Sequence, residues 1–451
     1  MRLSRTGALI LGAALLLGAG AAAAASQRPA SASFGAGVPT FTVSAAPAGL
    51  PSADLAGEPS LGADWQTGAL LYQSYTSTYR LRLTPRGHAL SIAWQDASSP
   101  YSLLNLDPIL ATDHATGATL AGGDDGTCST MSLTHNDGEG WTPSLPCSGT
   151  VDHPTVGFGP FASPKPAGAS GERAAYFCQR ELINECARSL DGGATWSPAV
   201  PVTDCLSLFG HLKVAPDGTV YVPSRDCNLL SASIGGFRSI DNGLTWQTFT
   251  IAGTVNNGFD PSVAVADDGR LYESWTGGNN HPFIASSADR GSTWSTPLDL
   301  ATVGRSGLVA GTFESVVAGD HGRVAVAYLG TQVGNPAADP FSSGFHGVWH
   351  LFVATSYDTG RTWNTVQVTH DPVQRGEIDG GGTTTSGQRN LLDFMDATLT
   401  QDGRVAVGFA DGCIGACAQP SGTEAQSASD NYATVAVQTT GRGLFARYDS
   451  H

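Results

Sequence analysis

Four stretches of this chain spell one pattern: Ser189-Leu-Asp191-Gly-Gly193-Ala-Thr195-Trp196, Ser239-Ile-Asp241-Asn-Gly243-Leu-Thr245-Trp246, Ser287-Ala-Asp289-Arg-Gly291-Ser-Thr293-Trp294 and Ser356-Tyr-Asp358-Thr-Gly360-Arg-Thr362-Trp363. A fifth stretch, from Thr134 through Asn136 and Gly138 to Trp141, is a worn copy. Equivalent positions recur about every 50 residues and stretch to 69 before the last copy. Each part has a physical use. Ser and Asp side chains bond the backbone of a tight turn, Gly accepts a left-handed conformation, and Trp packs back on the flanking strands.

A second unit recurs upstream of each box. His211-LKVAPDG-TVYVPS, Asp260-PSVAVADDG-RLYESW, Glu314-SVVAGDHG-RVAVAY and Asp396-ATLTQDG-RVAVGF each read as strand, Gly turn, strand. Weaker starts stand at Glu58, Asp107 and His153. Seven units begin near 57, 105, 152, 210, 258, 313 and 391. Each predicts a four-stranded antiparallel blade with the box in its last hairpin. A ring of blades hides sheet edges that one open sheet of this size would expose. The fold class is therefore all-β: a β-propeller, seven blades preferred, six if a terminal unit is partial.

The boxes resemble the Asp boxes of the sialidase (neuraminidase) superfamily and related propellers. The likeness covers roughly residues 57–445 and is specific for architecture more than for activity. It implies that Asp191, Asp241, Asp289 and Asp358, with Trp196, Trp246, Trp294 and Trp363, are structural and remote from any substrate. It also implies an Arg triad for a substrate carboxylate, which bidentate pairing explains, and a Tyr nucleophile activated by Glu, with Asp as acid/base. The family's early Arg-Ile/Leu-Pro string is absent here. The nearest is Arg82-Leu-Thr-Pro85, with an extra residue.

Antiparallel strands alternate direction, so the first Gly turn and the box of each blade share one face. The insertions 329–347, 370–390 and 410–431 belong to the opposite, open face, while 158–175 belongs to the box face. First strands start at Glu58, Asp107, His153, His211, Asp260, Glu314 and Asp396, all acidic or His. They predict a polar funnel for a sugar, a cation or a proton, with Arg375 nearby. Such a ring also follows from the repeat alone, with side chains capping the backbone. Within the funnel, Arg389 and Arg225 are the candidates to hold an anion, Asp396 or Glu314 to act as acid/base, and Tyr328 as nucleophile. Alternatively Asp393 and Asp396 hold Ca²⁺ through carboxylate oxygens. The competing readings pair Arg389 with Asp393 and bury Tyr328 between blades. No motif requires a cofactor. No phosphate loop, H-E-x-x-H or G-x-S-x-G occurs.

Composition agrees with a turn-rich extracellular chain. Its 451 residues include 57 Gly, and 39 acids face 23 bases for a net charge of −16. That balance argues against nucleic acid as a partner. Residues 1–25 read as a secretory signal peptide. Removing Arg2 and Arg5 with it makes the net charge −16 − 2 = −18. No later stretch is apolar enough to span a membrane. Residues 26–56, rich in Ala, Ser, Gly and Pro, read as a flexible leader, and 57–451 as one propeller domain, expected to be a monomer that is secreted or periplasmic.

Export permits disulfides, and the eight Cys group as neighbours: Cys128 with Cys147, Cys178 with Cys186, Cys205 with Cys227, and Cys413 with Cys417. Zinc at the last pair is the weaker alternative, since C-x₃-C lacks a partner pair. Two functions remain. One is a propeller binding a glycan, or a secreted or cell-surface protein, on its open face. The other is an exo-acting glycosidase of the sialidase type.

Overall fold

The computed structural model describes residues 37–449 apart from 88, 127, 147–151, 181–182, 226, 228–232, 380–388 and 423–430. The expected signal peptide lies outside them. So does Cys147, although Cys128 is itself disulfide-bonded. Among the described residues no helix is long and apolar enough to cross a membrane.

Seven antiparallel sheets follow one another along the chain. Their first strands run over Ser60–Ala63, Ile109–Thr112, Asp152–Pro160, Lys213–Val214, Ser262–Val265, Ala310–Ala318 and Asp396–Leu399. These are blades one to seven of a β-propeller. Blade six carries a fifth strand, Gln374–Gly376, which pairs with Gly347–Trp349 inside the region expected to be a plain interblade link.

The leader reading needs a correction. Thr40–Ala45 is a strand, and it pairs antiparallel with Tyr432–Thr440 as the fourth strand of blade seven. The sequence TFTVSA alternates weakly and sits in an Ala/Ser/Pro-rich setting, so local pattern did not reveal it. Its partner lies almost 400 residues away, and that pairing joins the two ends of the ring. The C-terminal turn adds a second tie. Arg323 of blade six donates to both carboxylate oxygens of Asp449 at 2.9 and 2.6 Å.

Each box forms the same turn. Ser189, Ser239, Ser287 and Ser356 accept the amide of the box Gly at 2.7–2.8 Å. Each Asp accepts the Thr amide at 2.8–2.9 Å and the Thr hydroxyl at 2.5–2.6 Å. Gly193, Gly243, Gly291 and Gly360 have φ of 77–97°, which L side chains resist. The worn copy works alike, Asn136 accepting the Gly140 amide at 2.9 Å. The boxes share a face with the first-strand turns: Asn242 bonds both backbone groups of Ala162, and the Thr359 amide donates to Gly322.

The core lies between blades rather than at the axis. Tyr272 and Ala264 of blade five pack with Tyr328, Val326 and Phe352 of blade six in one such layer. Disulfides Cys178–Cys186, Cys205–Cys227 and Cys413–Cys417 are local, within or beside single blades.

Candidate functional site

The heads of the first strands converge on the axis because their backbone turns them inward. Glu58 and His153 have φ of 54° and 52°, and Phe313, just before Glu314, has 59°. The pairing register shifts between Asp152 and Thr155 and between Thr312 and Ser315, so the last two positions sit in bulges. Bulges re-aim side chains at the rims of sheets.

Four of the seven heads join one charged network at the open end of the channel. His153 Nε2 lies 2.7 Å from Asp260 Oδ2, and Arg225 Nε donates to Asp260 Oδ1 at 2.9 Å. The His153 amide donates to Asp107 at 3.0 Å. The Asp393 amide donates to Glu58 Oε1 at 3.1 Å, and Arg389 pairs with Asp393 at 2.6 Å. Blades one, two, three, five and seven, together with Arg225 after the second strand of blade four, thus meet over the axis. One layer deeper, His211 of blade four reaches across to Asp396 of blade seven at 3.5 Å. Asp396 also accepts the amides of Leu61 and Ala397. Glu314 stands apart, with Thr276 donating to its carboxylate at 2.9 Å.

Burial and neighbours set the charge states. For His153, burial favours the neutral ring, but Asp260 and Asp107 outweigh it and push the pKa up to about 10. Burial pushes Asp260 the other way from its partners His153 and Arg225, which win and hold it at about 2. Glu58 is raised well above the usual carboxylate range by burial and then by Asp393 and Asp107. Burial raises Glu314 to about 8. In the network a cationic His153 and Arg225 share the Asp260 carboxylate, while burial biases Glu58 towards its neutral form.

Such locking bears on chemistry. Arg225 and Arg389 each already hold an acid, and Arg375 donates to the carbonyls of Cys417 and Gln419 at 2.8 and 3.0 Å. The described heads therefore do not bring three unengaged guanidinium groups to one place. Tyr328 needs a correction too. It is fully buried in the second strand of blade six, stacked on Phe352, and does not reach the open face. Of the two acids named for Ca²⁺, Asp393 pairs with Arg389 and Asp396 accepts backbone amides on both oxygens.

The described parts of the three insertions pack together on the open face. Gln374 and Asn390 exchange side-chain bonds, the Ile378 amide donates to Pro340, and Gly412 to Val373. Phe341 packs edge-on against Phe259 with centroids 4.6 Å apart. They are a pinned platform.

Sequence reasoning missed the apolar character of this face. Of 15 exposed large hydrophobics among the described residues, 11 lie in interblade links or in loops between second and third strands. Tyr101, Leu103, Leu104 and Leu106 stand in one link, Leu103 being 86% exposed. The available signal was the string Tyr101-Ser-Leu-Leu-Asn-Leu106, apolar without strand alternation and closed by Asp107-Pro108.

No protein-family model matches the chain, and no curated protein matches it significantly. Solved structures that match include sialidases and other propellers. Against the intramolecular trans-sialidase from Ruminococcus gnavus, identity is 14% over 85% of this chain and 94% of the other, TM-score 0.38. YCF48 bound to D1 peptide shows 13% identity over 90% and 100%, TM-score 0.49. The Aleuria aurantia lectin shows 11% over 69% and 96%, TM-score 0.43. At such identities the likeness concerns the fold and carries no ligand or activity across.

Proposed function

We propose that this protein is an exported, non-catalytic propeller that binds a protein or peptide ligand on the face opposite the boxes. The observation that carries the reading is the clustering of exposed aliphatic side chains there, above a network whose arginines are already engaged. Solitary exposed hydrophobics are ordinary, whereas a concentration on one face marks an interaction surface. Aromatic planes, the usual support for sugar rings, are represented among them only by Tyr101. The three local disulfides support an exported life.

The test is a pair of measurements on the mature protein. Peptide display against the immobilised protein is expected to yield ligands whose binding falls at least tenfold in Leu103→Asp/Leu106→Asp and is unchanged in the box-face variant Leu244→Asp. A fluorogenic sialoside is expected to show no turnover from pH 4 to 8, with or without Ca²⁺. Turnover, or binding confined to a glycan array, overturns the proposal.

A further inference from the structure

The opposite end of the channel differs from the plugged end. Beside the His211–Asp396 pair, the first strands line a cavity of about 250 Å³. Its wall is half apolar, with Leu61, Leu110, Val156, Leu212, Val316 and Leu399 each contributed by a different blade, and half polar, with Asp113, His114, Arg173 and Lys213 among them. Its mouth is framed by Trp65, whose indole donates to Leu399 at 2.7 Å and stacks on His114 at 4.3 Å. His211 and Asp396, which line the cavity, stand between it and the charged network.

One cation that lines it makes no ion pair among the described residues. Lys213 lines the cavity, and among the described residues no ion pair or hydrogen bond engages its ammonium group. Lys213 stands in the first strand of blade four, two residues after His211. Asp113 is spent on Arg173 and Asp396 on His211 and backbone amides; Asp267, at the rim, is exposed. His211 lines the inner end of the cavity, paired with Asp396.

We infer that this pocket binds a small organic monoanion with an apolar body, its carboxylate on Lys213 and its hydrocarbon against the aliphatic side chains of the wall. The size excludes larger ligands, since drug-sized pockets run from about 300 to 1,000 Å³. The pocket stands on the face away from the proposed protein-binding surface, so the two readings fail independently.

Calorimetric titration of the mature protein with benzoate and hexanoate tests it, with benzamide and hexanamide as neutral isosteres. Saturable binding of at least one acid is expected, at least tenfold tighter than its amide. Lys213→Met should weaken the acid at least tenfold, while Lys213→Arg retains it and Lys165→Met, at the other lysine of the chain, changes nothing. Melting curves of the three variants identify any that fail to fold, and the acid/amide ratio of the native protein decides the matter without them. Equal binding of acid and amide, undiminished binding in folded Lys213→Met, or no saturable binding of either acid overturns the inference.

Discussion

The two ends of the central channel are built from the same seven strands, yet one is sealed by charge and the other is left hollow. At the open end, opposite charges join His153, Asp260 and Arg225, while Asp107 and Glu58 accept the backbone amides of His153 and Asp393. Towards the box end the same strands line a space of about 250 Å³ with aliphatic and polar side chains that do not fill it. The contrast teaches that a polar ring in a propeller is no evidence of a substrate funnel. Where the charges satisfy one another, the ring is a plug, and the cavity must be sought elsewhere.

The comparison can be broken most severely at Asp260. It is the acid shared by His153 and Arg225, with a side chain only 3% exposed. Removing one partner of a buried pair costs about 3–5 kcal/mol because the remaining charge is left buried alone. Asp260→Ala is therefore expected to lose about that much in urea unfolding at pH 7; a loss within experimental error would show that the plug contributes nothing to stability.

A milder probe is pH. His153 has its folded pKa raised to about 10 from an ordinary value of about 6.5. Its contribution is then complete below about 6.5 and is lost as pH rises through about 10. Asp260, held at about 2, contributes above its ordinary value of about 3.9 and loses that as pH falls through about 2. Between pH 7 and 10 the native protein should therefore lose stability more steeply than His153→Gln, as read by denaturant midpoints. Parallel profiles would remove His153 from the network.

The smallest effect is expected at the hollow end. Trp65 is half-buried at the mouth, edge-on to Phe445 at 5.4 Å. Trp65→Ala should cost about 2 kcal/mol, below the roughly 3–5 of a fully buried Trp. A loss matching that of Asp260→Ala would mean that both ends are structural in the same degree.

Much of this architecture was legible locally. The box turns depend on contacts no more than four residues apart, such as Ser239 to Gly243 and Asp241 to Thr245. The disulfides join near neighbours, and strand alternation places the insertions on their face. The site was legible only as a set of candidates. Arg389 with Asp393 lies four residues apart and was anticipated as one of two readings. His153 with Asp260, and His211 with Asp396, join blades that are not adjacent in the chain, and no local pattern selects such partners. Tyr328 failed as a candidate because its outlook depends on which way a blade leans upon its neighbour.

By itself, then, the sequence determined the repeating blade, its turns and the faces of its long insertions, because each rests on the period of a strand or on a hydrogen bond within one turn. Only the tertiary structure decided that Thr40–Ala45 closes the ring, that the polar heads seal one end, and that Lys213 is left unpaired at the other. Those outcomes depend on where seven separately formed sheets come to rest against one another, a matter of packing between residues far apart in the chain.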